Sequence, residues 1–378
     1  MIPYGRHSLE PEDVRAVAEA LESGWLTCGP AVEAFETAVA RRAGAEHAVA
    51  VNSGTAALHT ALHALGVGPG DEVAVACMSF ASTANVVCFT GATPVFCDVD
   101  PDTLLLDPAD LEQRITQRTK AVIPVDYAGQ PCDYAAIGRI AAKHGLAVVA
   151  DACHSLGAFR GGRQVGALAD LTAFSFHPVK HIATGEGGMV LTNDETAAQR
   201  MRSFRTHCMD SDYHSRDAAQ AYEYDIIGLG WNYRIPDICC ALGLSQLSRL
   251  DAFLARRREI AAEYGEAFSG LEGITPLVCL SEVEHAYHLY VVRVDPAIVE
   301  GGRDGLFARL RRSGIGVNVH YKPIHLHSYY RQRYGTGPGL CPRAEAAYPE
   351  LLTLPCYPGM SREDVDTVIR TVNQCIGS

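Results

Sequence analysis

The chain reads as an α/β protein: a large unit on a mainly parallel sheet, followed by a smaller α+β unit. Three observations carry that reading. Short apolar runs such as HAVAV, EVAVA, KAVIPV, LAVVAD and LTAFSF alternate with segments of helical period, the pattern of parallel strands joined by helical crossovers. The length of 378 residues, nearly half of them apolar, exceeds what one core usually organises. From about residue 256 the character changes to an alternating strand, HAYHLYVVRV, a helix, FARLRRSG, and an extended VNVHYKPIH. The expected division is 13–255 for the large unit and 256–378, joined by 1–12, for the small one.

In chain order, residues 11–22 (PEDVRAVAEALE) have helical spacing opened by Pro11 with acids in the first turn, and 31–42 (AVEAFETAVARR) repeat it. Between them SGWLTCGP is a turning loop whose mixed residues can also line a cleft. HAVAVNSGTAALHTALHALG is a strand, a small-residue turn and a helix start. Free N–H groups and the helix dipole at such a start hold an anion without any lysine, although a Ser or Thr there is equally an ordinary cap. GVGPGDEVAVACMSFASTANVVCFTGATPVFCDVD repeats turn, strand, helix and strand. Phe80 falls just past a strand end, where a ring packs either into the core or on a flat heterocycle. KAVIPVDYAG, LAVVAD, DLTAFSFH and GEGGMVLTN continue the strands, with YAAIGRIAAKHG helical among them. FRTHCMD leads into a polar loop over 210–224. A long helical segment from IIGLGWNYRIPDICC to AEYG is expected to bridge the two units.

The chemistry concentrates between Asp151 and Lys180. Asp151 ends a buried run, LAVVAD, and so emerges at a strand's carboxyl end, where open α/β sheets place ligands. Lys180 follows the strand DLTAFSFH and precedes a glycine-rich turn. A carboxylate to keep a pyridine nitrogen protonated and an amine to capture an aldehyde are the two groups that pyridoxal phosphate needs. A lysine in an apolar site loses proton affinity and becomes a usable nucleophile and base. Taken singly, the acid is as readily a helix cap and the lysine a solvated side chain.

Composition narrows the partners. A net charge of -12 without basic clusters argues against nucleic acid and against an anionic membrane. Thirteen scattered cysteines with no CxxC spacing read as reduced thiols of a cytoplasmic enzyme. No run has the length of a membrane span, the amino terminus lacks a secretion signal, and no internal repeat is visible. His320, His325 and His327 cross a proline-containing loop with no cysteine or carboxylate at ligand spacing, so no metal is expected.

Six ordered motifs (NSGTAAL, SFASTAN, DACHSLG, SFHPVK with GEGG, GWNYR and VHYKPIH) resemble, nearly end to end, the DegT/DnrJ/EryC1/StrS sugar-nucleotide aminotransferases. The phrases SFHPVK, FRTHCM and VHYKPIH look most like the branch that aminates C4 of a UDP-linked 4-ketosugar on the route to pseudaminic acid. The resemblance implies a fold-type I enzyme dependent on pyridoxal phosphate, with a seven-stranded large domain and shared active sites in a homodimer. It implies L-glutamate as amino donor. Lys180 would capture the cofactor, Asp151 would pair with its ring nitrogen, and His154 and Phe80 would lie near the ring. Gly54, Thr55, Ser175 and, from the other subunit, Asn232 would hold the phosphate. Tyr4, Leu26, Thr27, Ser53, Asn318, Val319, His320 and Tyr321 would contact the sugar. His181 departs from the proline expected after the lysine and would sit beside the reacting amine. Rival readings are the same chemistry on another 3- or 4-ketosugar, or a fold-type I enzyme acting on amino acids, such as a desulfurase.

Overall fold

The computed structural model describes residues 1–211, 216 and 220–376. Seven strands form the central sheet: β1 (His47–Val51), β2 (Glu72–Ala76), β3 (Thr93–Cys97), β4 (Thr119–Ile123), β5 (Ala147–Asp151), β6 (Leu171–Ser175) and β7 (Gly188–Thr192). Their order is β1–β7–β6–β5–β4–β2–β3. β3, β2, β4, β5 and β6 pair in parallel, while β7 runs antiparallel to both β6 and β1. β2 and β7 are buried along their whole length, as expected of a sheet covered on both faces.

The covering helices are placed by local signals that the sequence carries. α1 (Pro11–Glu22) opens with Pro11 at its first position and a reciprocal capping box between Glu10 and Asp13. α2 (Pro30–Ala43) has Pro30 at its start and stops at Gly44 in the left-handed region. α3 (Gly54–Ala64) is capped by the Ser53 hydroxyl, which accepts from the Ala56 N–H. α4 (Ser82–Phe89), α5 (Pro108–Arg114), α6 (Tyr134–His144) and α7 (Glu195–Phe204) complete the large unit. The last three begin at Asp107, Asp133 and Asp194, whose side chains accept from first-turn N–H groups.

The single long helical segment expected from about residue 226 is instead two helices preceded by extended chain. α8 (Asp237–Leu247) starts only after Pro236, and α9 (Leu250–Ala267) follows a break bent by 60°. Upstream of Pro236 the chain lies against 206–209, with bridges Met209↔Ile226 and Thr206↔Asn232. Proline cannot continue a helix behind it, and that edge pairing occupies the upstream backbone. At the break, the Arg249 guanidinium turns to Asp13, which also accepts from Ser245 and Gln246. Of the polar loop expected over 210–224, positions 212–215 and 217–219 lie outside the described residues.

A second sheet of β8 (Ile274–Pro276), β9 (Tyr290–Val294) and β10 (Leu351–Leu354) packs with α10 (Gly302–Arg312) and the terminal α13 (Arg362–Ile376) into its own core. α9 serves both cores: Leu250 and Leu254 join the large one, Ile260 and Tyr264 the small one. The amino-terminal segment pairs with the small core through Ile2 and Gly314. α11 (Ser328–Tyr334) and α12 (Pro342–Ala347) return to the large core, where Tyr330 and Ala344 are buried. No single helix among the described residues is long and apolar enough to cross a membrane.

Candidate active site

Because β1, β2, β4, β5 and β6 run the same way, their carboxyl ends open on one edge of the sheet, and that edge floors a cavity of about 890 Å³. β1 delivers Ser53, Gly54 and Thr55; β2 delivers Ser79 and Phe80; β5 delivers Asp151, Cys153 and His154; β6 delivers Ser175 and Lys180. The other wall is Tyr4, His288 and the run Asn318 to Tyr321. Acid and lysine thus come from neighbouring strands and line the same space.

Asp151 is buried at the bottom. One carboxylate oxygen accepts from the Thr83 hydroxyl at 2.7 Å, and Thr83 in turn lies 2.7 Å from the Ser79 hydroxyl. A hydroxyl chain from the β2–α4 turn to the first turn of α4 therefore fixes the carboxylate's orientation. Lys180 Nζ lies 3.5 Å from His288 Nε2. Burial lowers the lysine's proton affinity; Cys153 and Asp151 oppose that shift, and Arg257 adds to it.

The histidines around the lysine have their proton affinity lowered. Burial holds His154 well below the usual imidazole range, and the positive charge of Lys180 pushes the same way; His288 behaves alike. The two rings stand 4.3 Å apart, and His154 Nε2 is 3.3 Å from the Tyr321 hydroxyl. His154 Nδ1 and His288 Nδ1 are buried without a hydrogen-bond partner, an arrangement that favours a ligand polar group in the cavity. Beneath them the fully buried Arg257 of α9 donates to the carbonyls of Tyr287 (3.1 Å), His288 (3.3 Å) and Cys356 (2.6 Å), holding the histidine-bearing segment in place.

The start of α3 is built for close approach. A Cβ on Gly54 would fall 2.8 Å from Ser175 Cβ, and one on Gly188 would fall 2.5 Å from the Ser53 carbonyl carbon. Only glycine lets β7, the α3 start and Ser175 converge, and the first-turn N–H groups of Gly54 and Thr55 have no helical carbonyl to bond. Lys180 is the sole Lys or Arg among the described residues lining the cavity, so an anion here is met by N–H groups, hydroxyls and the helix dipole.

Of the residues expected from the sequence, Tyr4, Ser53, Gly54, Thr55, Phe80, Asp151, His154, Ser175, Lys180, Asn318, Val319, His320 and Tyr321 all line this cavity. Leu26, Thr27 and Asn232 do not. They are exposed on one side, where Thr27 bridges Pro236 and the Asn232 carbonyl accepts from Asn52 at 3.3 Å. His181 does not line the cavity: it is buried next to the lysine in the chain, with its Nε2 3.1 Å from the Ala286 carbonyl oxygen, and feels the charge of Lys180.

Sequence reasoning missed His288, although the alternation of HAYHLYVV put it on an inward face. It also missed Thr83, one helical turn past Ser79. His320 and His325 go to different places in the fold. His320 enters the cavity, while His325 is bonded to Glu345 at 2.9 Å and meets Cys77 and Cys341, both distant in sequence.

A model of the DegT/DnrJ/EryC1/StrS aminotransferase family matches residues 7–373. The spore coat polysaccharide biosynthesis protein SpsC of Bacillus subtilis (strain 168) is 44% identical over 378 residues, covering 99% of this chain and 97% of that protein. The putative sugar aminotransferase Spr1654 from Streptococcus pneumoniae, in its PMP-form, superposes with a TM-score of 0.94 at 33% identity, covering 100% and 99% of the two chains; a PLP-form is also similar. Helicobacter pylori PseC, an aminotransferase involved in the biosynthesis of pseudoaminic acid, superposes with a TM-score of 0.92 at 33% identity, again covering 100% and 99%.

Proposed function

The chain belongs to the DegT/DnrJ/EryC1/StrS aminotransferase family, and from that premise we propose that it aminates C4 of UDP-2-acetamido-2,6-dideoxy-β-L-arabino-hex-4-ulose with L-glutamate as donor. The product would be UDP-4-amino-4,6-dideoxy-N-acetyl-β-L-altrosamine, a precursor of pseudaminic acid. That the enzyme is a sugar aminotransferase dependent on pyridoxal phosphate follows from the family and its solved relatives. The choice of sugar is supported by the likeness to PseC over the whole chain.

One observation carries the catalytic reading: Asp151 and Lys180 face one cavity, with the α3 start as an anion site on its wall. When bound, pyridoxal phosphate supplies an electron sink for a carbon that has lost a proton. Lys180 Nζ, its proton affinity lowered by burial so that more of it is free amine, would capture the aldehyde and later carry the proton to and from the substrate carbon. Asp151, oriented by Thr83, would keep the proton on the ring nitrogen. His154 would pack by the ring as a neutral imidazole. Gly54, Thr55 and Ser175 would hold the phosphate, and Tyr4, Ser53 and Asn318 to Tyr321 the sugar.

Leu26, Thr27 and Asn232 fit this scheme as contributions to a second subunit's site. Two features support a homodimer with shared sites: these residues are exposed without lining their own cavity, and the adjoining Ile227, Leu229 and Trp231 expose apolar side chains. A division into a large domain over 13–255 and a small one over 256–378 with 1–12 is supported by the separate second core, with α9 as the shared strut, although α11 and α12 of the later part pack on the large core. Thirteen scattered cysteines with no CxxC spacing support a cytoplasmic setting.

A second reading rests on the higher identity to SpsC, a spore coat polysaccharide biosynthesis protein. On that reading the acceptor is another nucleotide-linked 3- or 4-ketosugar. Incubation with glutamate and the 4-keto products of both UDP-GlcNAc dehydratase types, followed by mass spectrometry, separates the readings. Amination of the L-arabino ketone alone is expected, and Lys180→Ala should abolish it. Amination of only the epimeric ketone, or of neither, overturns the proposed substrate.

A further inference from the structure

Cys77, His325 and Cys341 are each fully buried and meet behind the cavity without lining it. Cys77 follows β2, His325 lies in the turn Ile324–Leu326, and Cys341 precedes α12. Both sulfurs and a ring nitrogen of His325 lie within 4.8 Å of one another. His325 Nε2 is engaged by Glu345 Oε1 at 2.9 Å. The nitrogen on offer is therefore Nδ1, which is buried with no partner but the Cys341 thiol, a weak donor. Leaving such a group poorly matched is costly, and an electron-pair acceptor placed among the three donors removes that cost.

The geometry points to a binding site for one zinc-class divalent ion, held by the Sγ atoms of Cys77 and Cys341 and by His325 Nδ1. Metal–sulfur bonds of about 2.3 Å and metal–nitrogen bonds of about 2.0 Å separate tetrahedral donors by roughly 3.5–3.8 Å, a separation the three donors reach by a small closure from the 4.8 Å within which they lie. Two thiols lose their protons on binding, so the ion with two thiolates and a neutral imidazole carries no net charge and suits full burial. Thiolate and imidazole donors select zinc over magnesium or calcium. Glu345 supplies the outer support such a histidine needs: it holds the far ring nitrogen and is itself fixed by the N–H groups of Gly339 (2.7 Å) and Cys341 (3.1 Å). Three protein donors leave one tetrahedral position for a water molecule.

The ion would be structural. The Cys77 carbonyl already accepts from the Ile324 N–H at 2.9 Å, and two residues beyond Cys77 stands Ser79, which holds Thr83 and through it Asp151. Pinning Cys77 to His325 and Cys341 fastens the arm that carries Asn318 to Tyr321 against the strand end behind the acid.

The test uses the full-length chain, grown with added zinc and purified without chelator or metal-affinity resin. The metal is measured by elemental mass spectrometry. About one zinc per chain is expected, falling to background in Cys341→Ser and Cys77→Ser but retained in Cys97→Ser, a buried thiol outside the set. Cobalt replacement should give a thiolate-to-cobalt absorption band that Cys341→Ser lacks. If Cys77→Ser does not fold, the wild-type cobalt band and Cys341→Ser still decide the matter. Three results overturn the proposal: wild-type protein without zinc and without the cobalt band, zinc retained in Cys341→Ser, or a Cys77–Cys341 disulfide in anaerobically purified protein.

Discussion

Gly188→Ala tests the idea that the anion site depends on how closely β7 approaches the start of α3. The new Cβ would fall against the Ser53 carbonyl, 2.5 Å from its carbon and 2.8 Å from the Gly54 nitrogen. Ordinary contact needs about 3.5 Å, so the Ser53–Gly54 peptide must retreat by about 1 Å. Both partners are backbone, and β7 is paired on each side at this residue, with Val51 and Ser175, so the strand cannot yield instead. Overpacking of this kind costs about 1–3 kcal/mol, which lowers the melting temperature by several degrees in a chain of this size. The same shift moves the Gly54 and Thr55 N–H groups off the phosphate. A misplacement of about 1 Å costs up to about a hundredfold in turnover. The assay is thermal unfolding with and without added pyridoxal phosphate, together with turnover. The cofactor-dependent rise in melting temperature should shrink more than the melting temperature of the cofactor-free protein falls. A variant with wild-type melting behaviour and wild-type response to the cofactor would refute the close-approach argument.

Thr83→Val removes the hydroxyl that orients Asp151 and should lower kcat/KM by about ten- to a hundredfold with little change in fold; unchanged kinetics would show that the carboxylate is held by other means. Acid should destabilise the protein before most carboxylates titrate. His59 and His320 are pushed down to about 4 and His285 to about 3 by burial, with His154, His181 and His288 also depressed, so unfolding takes up protons once the pH falls below the unfolded value of about 6.5. Each such histidine steepens the loss by about 1.4 kcal/mol per pH unit below that point, and Asp126, raised to about 6 by burial, opposes it by one proton. Denaturant unfolding at pH 7, 6 and 5 measures the slope, and a flat profile contradicts it. Gly138 lies inside α6 with open space around it, so Gly138→Ala should raise stability by about 0.5–1 kcal/mol; a loss would mean a neighbour not evident in the fold.

What could be read in the sequence was what local chemistry announces. Apolar runs of about five residues marked the parallel strands, Pro11 marked a helix start, and Asp151 and Lys180 stood out because one ends a strand and the other follows one. The strand–turn–helix at NSGTAAL showed the α3 start as an anion site and as a cap, and the structure gives Ser53 the cap while leaving the N–H groups of Gly54 and Thr55 facing the cavity. Contacts between residues remote in the chain were not legible. His288 meets Lys180 across 108 positions, and Cys77 and Cys341 meet His325 only because α12 folds back onto the large core. The break between α8 and α9 was hidden because its cause, Arg249 turning to Asp13, is also tertiary.

The reversed direction of β7 has a bearing on where this enzyme can change length. Chain leaving β6 at Ser175 returns to β7 at Gly188 along the same sheet margin, so the dozen residues bearing Lys180 form a tether anchored at both ends beside the chemistry. The crossovers that feed β2 and β3 turn at the opposite margin, as at Gly66 to Gly70, far from that tether. Insertions, tags or fused modules therefore belong at the remote margin, whereas one residue added between Phe176 and Gly187 would reposition the nucleophile itself.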